Sequence, residues 1–256
     1  MPVVSVFGLW REYGTLRTVS GLSFMRPSRT VPVTRWRAPS RWRARPSTFA
    51  ILAAGQWVFG TGEAFLVASS LGVSPWTVLA QGLSVRFPIP IGLATLIVSA
   101  IVLLLWIPLR ERPGLGTIAN ALIIAVSLQV MVRVLPEPTA PAAQLGFVLL
   151  GIGLIGIGSG LYLTCDLGPG PRDGWMTGLH LRYGWPISAV RLAIEAVVLV
   201  LGWLLGGTVG IGTVLFALLI GPSVGYGLRV AGRIGRAPGS QVDVEVDDDE
   251  FPEGEA

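Results

Sequence analysis

Stretches of 20 or more residues without a charged side chain recur along this chain, among them 87–109, 113–132, 138–165 and 196–228. At 1.5 Å rise per helical residue each is long enough to cross a hydrocarbon core about 30 Å thick. A soluble domain carries about one charged residue in four, whereas only 13% of this chain is charged and 52% is hydrophobic. The pattern excludes an ordinary soluble enzyme. It predicts an all-α, polytopic membrane helix bundle whose first partner is the lipid bilayer.

The charges that remain are segregated. All 19 basic residues are arginine; nine precede residue 46, and eight of the 15 acids lie between Asp243 and Glu255. A sequence pI of about 10.0 would ordinarily raise the question of nucleic acid. Here the arginines flank apolar runs, so contact with anionic lipid headgroups is expected, and no nucleic-acid partner. One cysteine (Cys165) and one histidine (His180) exclude a disulfide framework and His-rich metal clusters, and argue against a Ser–His–Asp catalyst. No cofactor or metal is implied.

Along the chain, residues 1–46 read as a disordered, Arg-rich cytoplasmic lead broken by prolines, with Met25 as an alternative downstream start. Residues 239–256 read as an acidic disordered tail. Between them lie two membrane units, 47–135 and 145–231, with about six spans: 48–70, 90–109, 114–135, 145–165, 186–206 and 210–231. One side collects Arg41, Arg43, Arg45, Arg110, Arg112, Arg172, Arg182, Arg229, Arg233 and Arg236; the other holds Arg86 and Arg133. Such a positive-inside distribution predicts both termini in the cytoplasm of a bacterial inner-membrane protein.

Sliding the sequence against itself by 96 residues aligns 55–134 with 151–230 without a gap, and 26 of the 80 positions are identical. The matches fall on turns and breakers: Leu71-Gly72 with Leu167-Gly168, Pro75 with Pro171, Gly82 with Gly178, and Gly114, Gly116 and Thr117 with Gly210, Gly212 and Thr213. Shared hydrophobicity alone does not reproduce breakers at equal spacing. Three spans per unit is an odd number, so the second unit would insert inverted, an arrangement common among secondary transporters. Each unit also holds a segment too short to span, 74–87 and 170–184. These either lie along the interface or re-enter as half-helices, and their aromatic and arginine content favours the interface.

The blocks LGVSPWTVLAQGLS (71–84), RPGLGTIANALI (112–123), LGPGPRDGWMTGLHLRYGWPISAVRLAIE (167–195) and LGWLLGGTVGIGTVLFALLIGP (201–222) resemble the YczE-like family of bacterial integral membrane proteins, related to the YitT-like proteins. The resemblance covers about 50–231 and implies a small multi-span protein of the cell membrane. It carries no settled biochemical activity. The association of some members with production of non-ribosomal lipopeptides implies export or an accessory role.

Ionisable groups within spans cost about 2.5–3.5 kcal/mol each on insertion scales, so each requires a reason. Arg191 and Glu195 share a helix face; they either form a structural pair or line a substrate pathway, and their repeat counterparts are the uncharged Thr95 and Ser99. Arg172 and Asp173 stand at the second broken turn, opposite Trp76 and Thr77. Arg172 either grips a carboxylate or phosphate there or snorkels to headgroups, and Asp173 either orients it or caps the short helix. Glu63, alone in the first span, is a candidate proton carrier, a partner of Arg191, or an acid that stays protonated and hydrogen-bonded. Gln81, Asn120, Thr117 and Thr213 read as interhelical hydrogen-bonding groups. These features favour a permease or exporter with Glu63, Arg172, Asp173, Arg191 and Glu195 binding a small-molecule substrate. The alternative is a non-transporting accessory protein that docks a cytoplasmic biosynthetic enzyme. No catalytic constellation is present in the sequence, so an enzyme is not expected.

Overall fold

The computed structural model describes residues 31–236. It is all-helical there apart from one isolated bridge between Ser40 and Arg43. The helices are α1 (Pro46–Ser69), α2 (Pro75–Arg86), α3 (Ile91–Leu104), α4 (Trp106–Leu109), α5 (Leu115–Val134), α6 (Pro141–Leu163), α7 (Pro171–Tyr183), α8 (Ile187–Leu204) and α9 (Ile211–Ile234). Six units are long and apolar enough to cross a membrane: α1, α3 with α4, α5, α6, α8 and α9. Their outward faces confirm the solvent. Leu192, Leu204 and Leu218 are 71%, 72% and 68% exposed, a surface suited to lipid and unsuited to water.

Proline does much of the punctuation. It occupies the first turn of α1, α2, α6 and α7, where its missing N–H would have no intrahelical partner in any case. In the middle of the bundle α1 crosses α6 with backbones nearly touching. A Cβ on Gly62 would strike the carbonyl of Gly151, and one on Gly158 would strike that of Gly55. Under the 96-residue offset these two contacts exchange with one another. Close approach of this kind is how helices associate where no hydrophobic difference from the solvent drives them together.

The two broken turns are built alike. Gly72 and Gly168 have φ of +111° and +109°, and the preceding Ser70 and Asp166 have φ of 58° and 55°. The carbonyl of Leu71 accepts from Gly212 N–H and that of Leu167 from Gly116 N–H, both at 2.8 Å. Each turn therefore sits on the first turn of the last span of the other unit, where free helix N–H groups need acceptors. Any side chain at Gly72 or Gly168 would meet both a disfavoured φ and the threonine, Thr213 or Thr117, packed opposite.

The expectation of a disordered lead over 1–46 needs correction where the chain is described. Trp36 is 5% exposed and its Nε1–H donates to Thr164 Oγ1 at 3.0 Å. Arg35 N–H bonds the Gly235 carbonyl, Ala38 N–H the Cys165 carbonyl, and Arg41 accepts from Leu115 N–H. An Arg37–Asp166 bridge of 2.9 Å lies at the rim, where such pairs add little. Composition suggested disorder, but one tryptophan and a few backbone bonds tie residues 34–45 across the ends of α6, α5 and α9. Residues 1–30 and the tail at 239–256 lie outside the described residues.

This strap covers Cys165, whose burial pushes its thiol up to about 12. A group at that level is thiolate in only about one molecule in ten thousand at pH 8, and thiolate is the reactive form. Cys165 in the native protein is expected to resist a membrane-permeant maleimide, and Trp36→Ala to speed its labelling about tenfold or more. Labelling as fast in the native chain as in the denatured one would show that the strap does not cover it.

Candidate functional site

The sequence divides Glu63, Arg172, Asp173, Arg191 and Glu195 among three helices, α1, α7 and α8; the fold brings them to one region that α2 faces. Glu63 is 1% exposed, a turn and a half before the end of α1. The chain then doubles back through the Gly72 turn, and α2 begins beside the carboxylate. Ser74 Oγ lies 3.0 and 2.9 Å from the two carboxylate oxygens, and Thr77 O–H donates to Oε2 at 2.8 Å. The acid thus stands at the N-terminus of α2, where the helix dipole favours negative charge. Arg191 is not its partner; that guanidinium bonds Glu195 at 2.9 Å within α8. Since both residues belong to one helix, this pair does not fasten the two units together.

Arg172 and Asp173 occupy the first turn of α7. The guanidinium of Arg172 does not snorkel outward; it lies over the Trp76 ring, 5.1 Å from its centroid. Trp76 in turn meets Trp175 edge to face at 6.4 Å. The carboxylate of Asp173 accepts from the Tyr162 hydroxyl at 3.4 Å, and no side chain caps the helix at Gly170. Asn120 Oδ1 lies beside Gly170. Arg172 is half-buried and Asp173 exposed.

The first turns of the two short helices are buried in the bundle and meet at Trp76 and Arg172. The body of α2 packs on the end of α8, where a Cβ at Gly82 would strike the Gly202 carbonyl. The body of α7 packs on α3 and α4, with Trp106 over Gly174 and Leu109 beside Gly178. Trp106 Nε1–H donates to the Pro171 carbonyl at 2.9 Å and so fixes the first turn of α7.

Sequence reasoning missed Ser74, Trp76, Thr77 and Tyr162. Ser74 and Thr77, three apart at a helix start, were a readable signal of hydroxyls turned toward one point; Tyr162, a phenol inside an apolar span, was another. The hydrogen-bonding residues behave as expected in part. Thr117 Oγ1–H donates to the Pro169 carbonyl at 2.7 Å, and Gln81 Oε1 accepts from Thr208 N–H at 2.8 Å. His180 lies in the last turn of α7, its ring against the Trp185 carbonyl. Among the described residues no group of three His, Cys, Asp or Glu side chains is placed to hold a metal.

Six apolar spans define a polytopic membrane protein. Residues 46–228 match the family described as "Family of unknown function (DUF6198)". A Haemophilus influenzae protein described as "Uncharacterized protein" is 44% identical over 210 residues, which is 82% of this chain and 96% of the relative. The "Uncharacterized membrane protein YczE" of Bacillus subtilis is 31% identical over 182 residues, 71% of this chain and 82% of the relative. A second Bacillus subtilis protein, "Uncharacterized protein YyaS", is 28% identical over 171 residues, 65% of this chain and 85% of the relative. The chain belongs to this family, with the YczE-like membrane proteins. No solved structure matches.

Proposed function

We propose that this protein is a small-molecule permease or exporter of a bacterial inner membrane. In this reading its spans form two inverted three-span repeats, both termini are cytoplasmic, and Glu63, Arg172, Asp173, Arg191 and Glu195 line the substrate path. The single observation that carries it is the meeting of two short helices, one from each unit, first turn to first turn beside buried charge. Transporters built from inverted repeats place their binding sites at such broken helices near the midplane. Charges kept there despite their insertion cost are the mark of a pathway. The reading assigns the chain no catalytic role.

The test compares metabolites inside and outside cells carrying the intact gene, a deletion, or Arg191→Ala at matched membrane levels. The expected result is a compound that accumulates inside both mutants and is depleted outside. If total product falls in the deletion without accumulating inside, while Arg191→Ala behaves as the intact protein, the permease reading is overturned. An accessory protein that docks a cytoplasmic biosynthetic enzyme then takes its place.

A further inference from the structure

We infer that the junction of α2 and α7 binds an oxyanion, a carboxylate or phosphate group, through Arg172 and Trp76. The inference rests on the proposed permease reading and deepens it by naming the chemistry of what the junction holds.

It rests on an imbalance between donors and acceptors. Each carboxylate in the region already has its donors: Glu63 from Ser74 and Thr77, Asp173 from Tyr162, and Glu195 from Arg191. Arg172 has no such counterpart. Among the described residues no carboxylate oxygen lies within ion-pair distance of it; Glu63, Asp173 and Glu195 act on it from farther away, and its guanidinium lies over the face of Trp76. A cation in the first turn of a helix also faces the positive end of the dipole. An arginine held there, ringed by protein, is stabilised when an anion sits between it and the helix.

Trp76 supplies an independent sign. It is 5% exposed, it lies beneath the Arg172 guanidinium, and its Nε1–H has no acceptor. A buried donor left unmade costs about 1–3 kcal/mol, so a bound acceptor at this point removes a standing penalty. The start of α2 is already taken by the Glu63 carboxylate, whereas the first turn of α7 adds free backbone N–H groups of the kind that hold phosphates and carboxylates elsewhere. A guanidinium, an unpartnered indole N–H and the start of α7, all donors, lie at this junction. Arginine's planar fork matches the geometry of either oxyanion.

The test uses the purified full chain in a neutral detergent without lipid. Thermal unfolding and tryptophan fluorescence are followed while inorganic phosphate or acetate replaces chloride at constant ionic strength. The expected result is saturable stabilisation by at least one of the two, weakened about tenfold or more in Arg172→Gln and several-fold in Trp76→Phe. Both variants should remain folded in chloride, each midpoint there serving as the reference for that variant's anion response, and Arg133→Gln should respond as the parent does. No saturable response to either anion in the parent, or an undiminished one in Arg172→Gln, overturns the inference. Nanodiscs of phosphatidylcholine with or without phosphatidylglycerol separate the sources. Arg172-dependent stabilisation by the anionic lipid alone would make the ligand a headgroup and overturn a solute site. Arg172-dependent binding of a soluble anion, without any metabolite phenotype in the deletion, would retain the site and remove the permease reading. An export phenotype without any anion response would do the reverse.

Discussion

Valine at Gly227 is expected to prevent recovery of folded protein, whereas valine at Gly153 leaves recovery near the parental level. Both positions are mid-helix glycines in apolar sequence, so chain flexibility and composition treat them alike. Their surroundings differ. A Cβ at Gly227 would fall on the backbone of Gly156 and Ile157, and one at Gly160 on that of Gly227 and Leu228, because α9 crosses α6 almost backbone to backbone. Nothing lies within 4 Å of a Cβ at Gly153. Overpacking a flexible side chain costs about 1–3 kcal/mol; here the obstacle is main chain, which cannot turn aside. Ser223 Oγ–H also donates to the Ile152 carbonyl at 2.8 Å, and separating the helices would strip that bond too. The loss at Gly227 should exceed about 3 kcal/mol. The measurement is the monodisperse fraction of a fluorescent fusion extracted in mild detergent, together with its unfolding midpoint. Equal recovery of the two variants would mean that α6 and α9 are not in contact as described.

The contrast between those glycines marks the border of what the sequence discloses. Hydropathy located all six spans, because a spanning helix must be apolar along its whole length whatever it packs against. Spacing located the paired turns, because Gly72 and Gly168 answer to local backbone geometry. Neither signal says which glycine of GIGLIGIGSG faces a neighbour and which faces lipid; both environments are apolar, so no periodicity separates them. The same limit hid the depth of the short helices. Arg172, Trp175 and Arg182 in α7 gave it the composition of an interfacial helix, and only its partners, Trp76 and Trp106, show that its first turn is inside. The charged residues were readable one by one, since each violates the apolar pattern. Their convergence was not, because Ser74 and Thr77, legible as paired hydroxyls at a helix start, do not say which acid they meet. The strap at 34–45 failed for the opposite reason: nine arginines before residue 46 outweighed, in composition, the one buried indole of Trp36 that decides where the segment goes.

Trp106→Ala is expected to lower stability by about 3–5 kcal/mol, and Trp106→Phe to separate that loss from the loss of the site. The indole is 2% exposed and packs with Trp76, Val102, Met176 and Ile194, so alanine leaves a cavity among four helices. Phenylalanine fills most of it and removes one hydrogen bond, to the Pro171 carbonyl, for about 1 kcal/mol. That bond holds the turn carrying Arg172, so Trp106→Phe should fold nearly as the parent does and yet be impaired in the metabolite comparison. A Trp106→Phe chain with parental function, or a Trp106→Ala chain with parental stability, would count against this role. The position also differs between the two units. Under the 96-residue offset Trp106 corresponds to Gly202, which lets α2 approach α8 until the backbones touch. Where the first short helix is seated directly on its neighbour, the second is held off by the breadth of an indole. The unit in which an indole stands where the other has glycine is the one that carries Arg172 and Asp173.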